Sequence, residues 1–204
     1  MCQDTCEKSC LRGRQMKTRK NIYKLTLSAI LIAIGILIPM ISPLKLILEP
    51  ASFTLASHVP IFIGMFISPS VAAAVALGTT AGFFLGGFPI VVTLRALTHV
   101  LFVIVGSQLL KKRPSLIQEK GQSLLFSFFI GIIHAVSEIA VVSLFYFAGG
   151  MTEGYYAQGF MTSVLLLVGV GTVVHSMIDF SIAQVIWLGL EKRTNVSKKI
   201  SHIQ

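Results

Sequence analysis

Long apolar runs, separated by short segments that are polar or contain glycine and proline, dominate the chain from Ile22 onward. A helix needs about 20 apolar residues to cross the hydrocarbon core of a bilayer. The pattern therefore predicts an all-α integral membrane protein with six membrane-spanning helices. We place these helices at about residues 22–41, 53–67, 71–88, 89–110, 122–147 and 160–190.

The composition supports this prediction. Hydrophobic residues make up 54% of the 204 residues and charged residues only 12%, whereas soluble domains carry about 25% charged residues. The first apolar run is long enough to span a bilayer and is not followed by a small-residue cleavage site, so we expect no cleavable signal peptide. We expect a multi-pass protein of a cell membrane.

The positions of the basic residues predict the topology. Of the 17 Lys and Arg residues, fifteen lie in residues 8–24, 111–120 and 192–199. Basic segments beside membrane spans stay on the cytoplasmic side, and an even number of spans places all three clusters there, with both termini inside. This arrangement accounts for the net charge of +9 without a nucleic-acid partner. The resulting divisions are a basic N-terminal tail (1–21), a six-helix transmembrane domain (22–190) and a basic cytoplasmic tail (191–204).

The three cysteines, Cys2, Cys6 and Cys10, all precede Met16. Their spacing suits three thiols on one helical face as metal ligands. The sequence from Met16, MKTRKNIYKLTLSAIL, is typical of the start of a membrane protein, so we favour a tail or an extended start for residues 1–15. We expect no disulfide in the folded body.

Small residues recur every four positions on two of the predicted helices. Ala29 and Ala33 form a short series of this kind on the cytoplasmic half of the first helix. The longer series on the third helix consists of Ala74, Gly78, Gly82 and Gly86. Small residues at this spacing let helix backbones approach closely within a membrane. The series predicts close helix packing.

Seven ionisable side chains lie within the predicted spans, and six of them form pairs at i, i+4, the spacing that places both members on one helical face. A charge at mid-bilayer costs about 2.5–3.5 kcal/mol or more, so it should face the bundle interior and be paired. Polar faces on three helices together predict a polar cavity. The pairs are Arg95/His99, His134/Glu138 and His175/Asp179, and the seventh residue is His58.

Helical rise gives approximate depths for these residues. His58, Arg95, His99 and Glu138 should meet in the outer half of the bilayer, above His134 and His175. Asp179, about 28 Å from the outer end of its span, should lie too deep to join them. We expect Glu138 to compensate Arg95 when no ligand is bound. The alternatives are a permanent Arg95–Glu138 bridge, a structural His58, and a structural or partner-contact role for the last pair.

Three classes of function fit these features. The first is a solute-capture subunit, which would need a partner for any use of ATP because the chain has no G-x-x-x-x-G-K-[ST] motif. The second is an intramembrane metalloenzyme with HAVSE (His134/Glu138) and HSMID (His175/Asp179) as ligands. The expected difference in depth between Glu138 and Asp179 argues against a shared metal. The third is a purely structural protein.

The chain resembles the substrate-binding S components of energy-coupling-factor (ECF) vitamin transporters. The resemblance covers about residues 16–192 and rests on the length, the six-span plan and the Ala29-x-x-x-Ala33 pair. SFTLASHVPIFIGMFISP (Ser52–Pro69) and LGGFPIVVTLRALTHVLF (Leu85–Phe102) are most similar to the niacin-type S components.

The resemblance implies a subunit without enzymatic activity that binds a vitamin from outside. It also implies docking on a transmembrane T subunit, which carries two ATPases, through the face with Ala29 and Ala33. The resemblance places Arg95 and His99 in the ligand site. Their depth, and not the resemblance, suggests His58, Glu138 and Phe53, with His134 and His175 as the floor.

Niacin is the expected ligand, because a guanidinium can hold a carboxylate through two hydrogen bonds and a histidine can bond a ring nitrogen. Arg95 and Glu138 cancel in charge, however, so pantothenate, thiamine or a related precursor stay as alternatives. We expect no cofactor and no metal.

Overall fold

The computed structural model describes the backbone of residues 2–48 and 51–194 and the side chains of residues 14–44 and 53–193. The fold is a helical bundle with one short antiparallel β-hairpin, in which Lys45 pairs with Thr54 and Leu48 with Ala51. In chain order, the elements are α1 (Cys2–Ile41), β1 (Lys45–Leu48), β2 (Ala51–Thr54), α2 (Val59–Ile67), α3 (Pro69–Leu85), α4 (Ile90–Lys112), a 3₁₀ turn (Pro114–Ile117), α5 (Lys120–Phe147), α6 (Glu153–Ala157), a π-helical segment (Met161–Val170) and α7 (Gly171–Thr194).

Four helical stretches in the described part of the chain are long and apolar enough to cross a membrane. They are Arg14–Ile41, Ile90–Lys112, Lys120–Phe147 and Met161–Arg193. Helix α3 is a shorter apolar helix. These stretches agree with the predicted first, fourth, fifth and sixth spans, and the chain is a multi-pass, all-α membrane protein.

The second predicted span is wrong in its first half. A helix was expected over residues 53–67, but α2 has only nine residues and begins at Val59. It rises about 13.5 Å, far less than the hydrocarbon core of about 30 Å. Eight of its nine residues are buried, so α2 is surrounded by protein. Non-helical backbone at membrane depth is tolerated where it is buried in protein or lines a cavity.

The first helix is longer than the predicted span 22–41. Helix α1 begins at Cys2, so the basic segment expected as a separate tail continues the first apolar helix without a break. The side chains of Cys2, Cys6 and Cys10 lie outside the described residues, as does the region after Thr194.

Aromatic residues of α2, α4 and α7 form one part of the core. The ring of Phe62 lies 5.6 Å from that of Phe102 and 5.3 Å from that of Phe180, and Phe66 lies 5.9 Å from Trp187. These rings tie α2 to α4 and α7. These contacts fix the position of α2, and of its first residue Val59, relative to α4 and α7.

Close packing of α1 against α3 depends on glycine, as the small-residue series predicts. A Cβ placed on Gly78 would collide with the side chain of Ile32, and one on Gly82 would collide with Ile36. The two helices can approach this closely only because these positions lack a side chain.

Candidate functional site

A cavity of about 230 Å³ lies between the hairpin and helices α2, α3, α4, α5 and α7. All seven residues predicted to bind a ligand line it. Ionisable side chains come from four different helices or their starts, and apolar side chains supply most of the remaining wall. The lining residues are Pro39, Phe53, Thr54, Ser57, His58, Ile61, Thr79, Phe83, Phe88, Val92, Arg95, Ala96, His99, His134, Glu138, Thr172 and His175.

The expected pair of Arg95 and Glu138 is present. Arg95 Nη2 donates to Glu138 Oε2 at 2.9 Å. The hydroxyl of Thr172 donates to the same oxygen at 2.6 Å. The Arg95 side chain retains 17% of its exposure and that of Glu138 only 5%, so the arginine side chain is the more accessible member. A charge-assisted hydrogen bond of this kind makes a buried charge tolerable.

Three histidine rings meet beside this pair. The ring centroids of His58, His99 and His134 are each 4.8 Å from one another. Glu138 Oε1 lies 3.8 Å from His99 Nε2 and 3.5 Å from His134 Nε2, which is too long for a good hydrogen bond. Within the described residues, neither ring nitrogen of His99 or His134 has a hydrogen-bond partner.

Asp179 joins this cluster, contrary to the sequence-based expectation. Its carboxylate accepts hydrogen bonds from the backbone N–H groups of Ala56 at 2.8 Å and His58 at 2.9 Å. The same carboxylate lies 3.2 Å from His58 Nδ1 and 3.4 Å from His175 Nε2. Ala56 has a φ of +66°, a conformation that costs a residue with a Cβ about 1–3 kcal/mol. Asp179 therefore holds a strained turn in place.

The depth estimate failed for Asp179 because it treated residues 53–58 as helix. A strand advances about 3.3 Å per residue and a helix about 1.5 Å, so the hairpin and the turn carry His58 deeper than expected. His58 thereby reaches the middle of the span Met161–Arg193, where Asp179 lies. This is also why His58, the residue before α2, contacts α7.

Two polar residues of the site were missed by the sequence analysis. Thr172 binds Glu138, and Ser57 Oγ lies 3.1 Å from both His58 Nδ1 and His175 Nε2. Thr172 precedes His175 by three residues and Asp179 by seven, so helical periodicity could have placed it on the same face. Ser57 gave no such signal, because its position depends on the turn.

The aromatic wall is closely fitted to α7. The Phe53 ring lies 5.4 Å from that of His175, and a Cβ on Gly171 would come within 2.6 Å of Phe53 Cζ. The preceding π-helical segment is a rare conformation that is frequent at functional sites. Thr172, which follows this segment, lines the cavity.

The loop before this segment covers part of the bundle. Tyr155 of α6 is buried, and its carbonyl accepts a hydrogen bond from Ser163 Oγ at 2.8 Å. Burial raises the pKa of the Tyr155 phenol above its ordinary value, although nearby Arg95 opposes this shift. The Tyr156 hydroxyl donates to the carbonyl of Tyr146 at 3.0 Å. Helix α6 is thus fixed to α5 and to the π-helical segment.

The two residues predicted to contact a partner lie elsewhere. Ala29 and Ala33 are exposed on α1. Ala29 lines an open groove between α1 and α3 together with Ser28, Ser70 and Ala74. The groove and the cavity have no lining residue in common.

Comparison with known proteins identifies the family. The chain is 46% identical over 168 residues to the niacin transporter NiaX of Lactococcus lactis subsp. cremoris (strain MG1363), and the alignment covers 82% of this chain and 74% of that protein. No family model matches the chain, and no solved structure matches it. At this identity and coverage, the chain belongs to the family of membrane transporters that includes NiaX.

Proposed function

We propose that this chain is the niacin-binding S component of an ATP-driven ECF uptake transporter. The observation that carries the proposal is the 46% identity to a niacin transporter over most of both chains. It supports a transport subunit rather than an enzyme, and any ATP hydrolysis then belongs to partner subunits.

The cavity supports a small ligand. Its volume of about 230 Å³ is below the range of about 300–1,000 Å³ that is usual for drug-sized ligands. One aromatic ring with a small substituent suits such a volume better than the longer pantothenate or the two-ring thiamine. Niacin consists of a single pyridine ring and a carboxylate.

The polar groups suit both ends of this ligand. Arg95 is the accessible member of its ion pair, and a guanidinium binds a carboxylate with two parallel hydrogen bonds. His99 and His134 have ring nitrogens without partners in the described residues, and each can donate to or accept from a ligand. The aromatic face of Phe53 supplies an apolar surface for the ring.

Direct binding measurements test the function. Purified protein is titrated calorimetrically with nicotinate, nicotinamide, pantothenate and thiamine. We expect nicotinate to bind most tightly, and nicotinamide more weakly because it lacks the charge that Arg95 would bind. Tighter binding of pantothenate or thiamine would identify that vitamin, and not niacin, as the substrate. If none of the four compounds binds, the proposal is contradicted.

The metalloenzyme alternative has less support. It requires His134/Glu138 and His175/Asp179 to share a metal. Asp179 already accepts two backbone hydrogen bonds, and Glu138 accepts from Arg95 and Thr172. Both carboxylates are thus engaged in holding the fold together.

We further propose six crossings with both termini in the cytoplasm, with α2 and α3 as the short crossings. In a variant with Cys2, Cys6 and Cys10 changed to serine, single cysteines at the exposed positions Ser115 and Thr152 report the topology. We expect a membrane-impermeant maleimide to label Thr152→Cys in intact cells and Ser115→Cys only after lysis. The reverse pattern would invert the topology, and labelling of both in intact cells would place both residues outside and contradict a crossing by α5.

A further inference from the structure

Two histidines of the three-histidine cluster (His58, His99 and His134) have ring nitrogens that are not engaged in hydrogen bonds within the described residues. His99 and His134 are buried, with 6% and 0% of their surface exposed, and within the described residues their four ring nitrogens have no hydrogen-bond partner. Buried polar atoms without partners are rare in native proteins and call for an explanation, such as a bound ion. One ligand atom each from His58, His99 and His134 lie within 4.8 Å of one another.

We propose that His58, His99 and His134 bind a divalent transition-metal ion, and that this ion takes the pyridine carboxylate ligand at its open coordination position. Imidazole nitrogens suit zinc, copper, iron and nickel. Three protein ligands plus one open position is the arrangement of sites in which zinc binds an exogenous ligand. All three histidines line the cavity, so the open position faces the space for the ligand.

A second possible group, His58, His175 and Asp179, has ligand atoms that lie closer together, 3.1–3.4 Å apart, but it is less suitable because these atoms are already engaged. Asp179 accepts two backbone hydrogen bonds, and His175 Nε2 lies 3.1 Å from Ser57 Oγ. The atoms of this group already have partners, whereas those of His99 and His134 do not. We therefore assign the metal to the three-histidine cluster.

The surrounding carboxylates orient the proposed ligands. His58 Nδ1 lies 3.2 Å from Asp179 Oδ2, so a proton on Nδ1 leaves the lone pair of Nε2 for the metal. Metal-binding histidines commonly donate their other N–H to a carboxylate in this way. Glu138 lies 3.5–3.8 Å from the other two rings, and its negative charge favours a cation between them.

The metal would also resolve the charge balance of the cavity. The guanidinium of Arg95 is neutralised by Glu138, and Asp179 adds a second negative charge nearby. With neutral histidines, these groups leave no net positive charge to attract an anion. A divalent ion supplies that charge, and this step rests on the proposed function as a niacin carrier.

Binding requires a modest movement of the rings. Ligand nitrogens at about 2.0–2.1 Å from a tetrahedral metal are about 3.3 Å apart, so atoms separated by up to 4.8 Å would approach by about 1.5 Å. Rotation of the side chains can provide this movement without a change in the helices.

Cobalt is a spectroscopic probe for the site in the absence of any vitamin. Full-length protein in detergent is treated with EDTA, freed of the chelator and titrated with CoCl₂. We expect one equivalent to bind, with the visible absorption of a four- or five-coordinate nitrogen site, and ZnCl₂ to displace it. No absorption above that of protein-free detergent would overturn the proposal, and this result needs no variant.

Variants then locate the ion. His99→Ala and His134→Ala should each lower Co²⁺ affinity by at least about tenfold, and Asp179→Asn by about 10–100-fold through His58. His175→Ala should have a smaller effect than any of these. A loss in His175→Ala as large as that in His99→Ala would assign the ion to the other group. Should an alanine variant fail to fold, glutamine at the same position replaces it.

Nicotinate titrations separate this proposal from the proposed function. EDTA-treated protein should bind nicotinate at least about tenfold more weakly, with recovery after one equivalent of Zn²⁺. Equal affinity with and without metal overturns the metal-linked mechanism and leaves niacin binding intact. If neither form binds nicotinate, the function fails, and the cobalt spectrum still decides whether the metal site exists.

Discussion

Each buried charge of the candidate site is compensated by specific partners. Arg95 can carry its charge into the membrane interior because it donates to Glu138, whose same oxygen also accepts a hydrogen bond from Thr172. Asp179 is completely buried and is compensated by two backbone N–H groups and two histidines. Each carboxylate thus supports one part of the site. Glu138 connects α4, α5 and α7, and Asp179 connects α7 to the turn before α2.

Arg95→Ala should abolish or greatly weaken nicotinate binding and also destabilise the protein. Removing one partner of a buried pair leaves the other charge unpaired, at a cost of about 3 kcal/mol or more. The double variant Arg95→Ala/Glu138→Gln should regain most of the stability and none of the affinity. Thermal unfolding followed by Trp187 fluorescence, with calorimetry for nicotinate, measures both effects. Wild-type affinity in either variant would remove Arg95 from the site.

Asp179→Asn should destabilise the protein by about 2–3 kcal/mol, because one of its two hydrogen bonds from backbone N–H would meet an amide NH₂ instead of an oxygen. The control on the same helix is Ser176→Ala, since the buried Ser176 hydroxyl has no hydrogen-bond partner in the described residues. That change should be nearly neutral. Equal losses in the two variants, measured by thermal unfolding, would show that Asp179 does not anchor the turn.

The sequence allows the ionisable residues of the candidate site to be predicted, because a charged residue within an apolar helix should face the bundle interior and be paired. It also allows the Arg95–Glu138 pair to be predicted, since both residues lie on regular helices whose rise is known. The contact between His58 and Asp179 could not be derived in this way. It depends on a strand and on a turn with a positive φ at Ala56, which an apolar run does not reveal.

For helices and strands, the length of the apolar run determines whether the prediction agrees with the structure. The expected spans 89–110 and 122–147 agree closely with α4 and α5, because long apolar runs identify helices well. The stretch around Phe53 is short, and short apolar runs do not distinguish strand from helix. The π-helical segment has no sequence signal that we recognised, although it leads directly into α7, which supplies Thr172 and His175 to the cavity.

Gly171→Ala tests the fit between α7 and the hairpin. Its Cβ would come within 2.6 Å of Phe53 Cζ and 3.1 Å of Cε2, so the ring must move, and it borders both the cavity and His175. We expect nicotinate affinity to fall by about tenfold, which corresponds to about 1.4 kcal/mol. The matched control is Gly189→Ala, where a Cβ meets nothing within 4 Å. It should keep wild-type affinity and gain up to about 1 kcal/mol of stability from helix propensity. Unchanged binding in Gly171→Ala would show that Phe53 does not shape the site.

At the scale of the whole molecule, the two faces of α1 have different surroundings. One face of α1 packs on α3 at Gly78 and Gly82. Elsewhere on α1 many apolar residues are exposed, among them Ile30 and Ile34. Lipid can cover an exposed apolar face, but an open groove beside small residues also suits a helix of another protein. The family predicted from residues 52–69 and 85–102 agrees with the relationship to NiaX. The proposed function as an ECF subunit would require a membrane partner.

Enlarging Ala29 and Ala33 tests whether that partner docks here. In Ala29→Leu/Ala33→Leu, the added side chains would prevent close approach of a partner helix, at about 1–3 kcal/mol for each overpacked position. Recovery of the transmembrane T subunit and the ATPases with the tagged protein should therefore fall by at least about tenfold. Nicotinate binding by the isolated subunit should not change, because the groove and the cavity have no residue in common. Ile30→Phe/Ile34→Phe enlarges neighbouring exposed positions on another face of α1 and should retain the complex. Loss of the complex in both variants would indicate a general defect of α1, and retention in both would place the docking surface elsewhere.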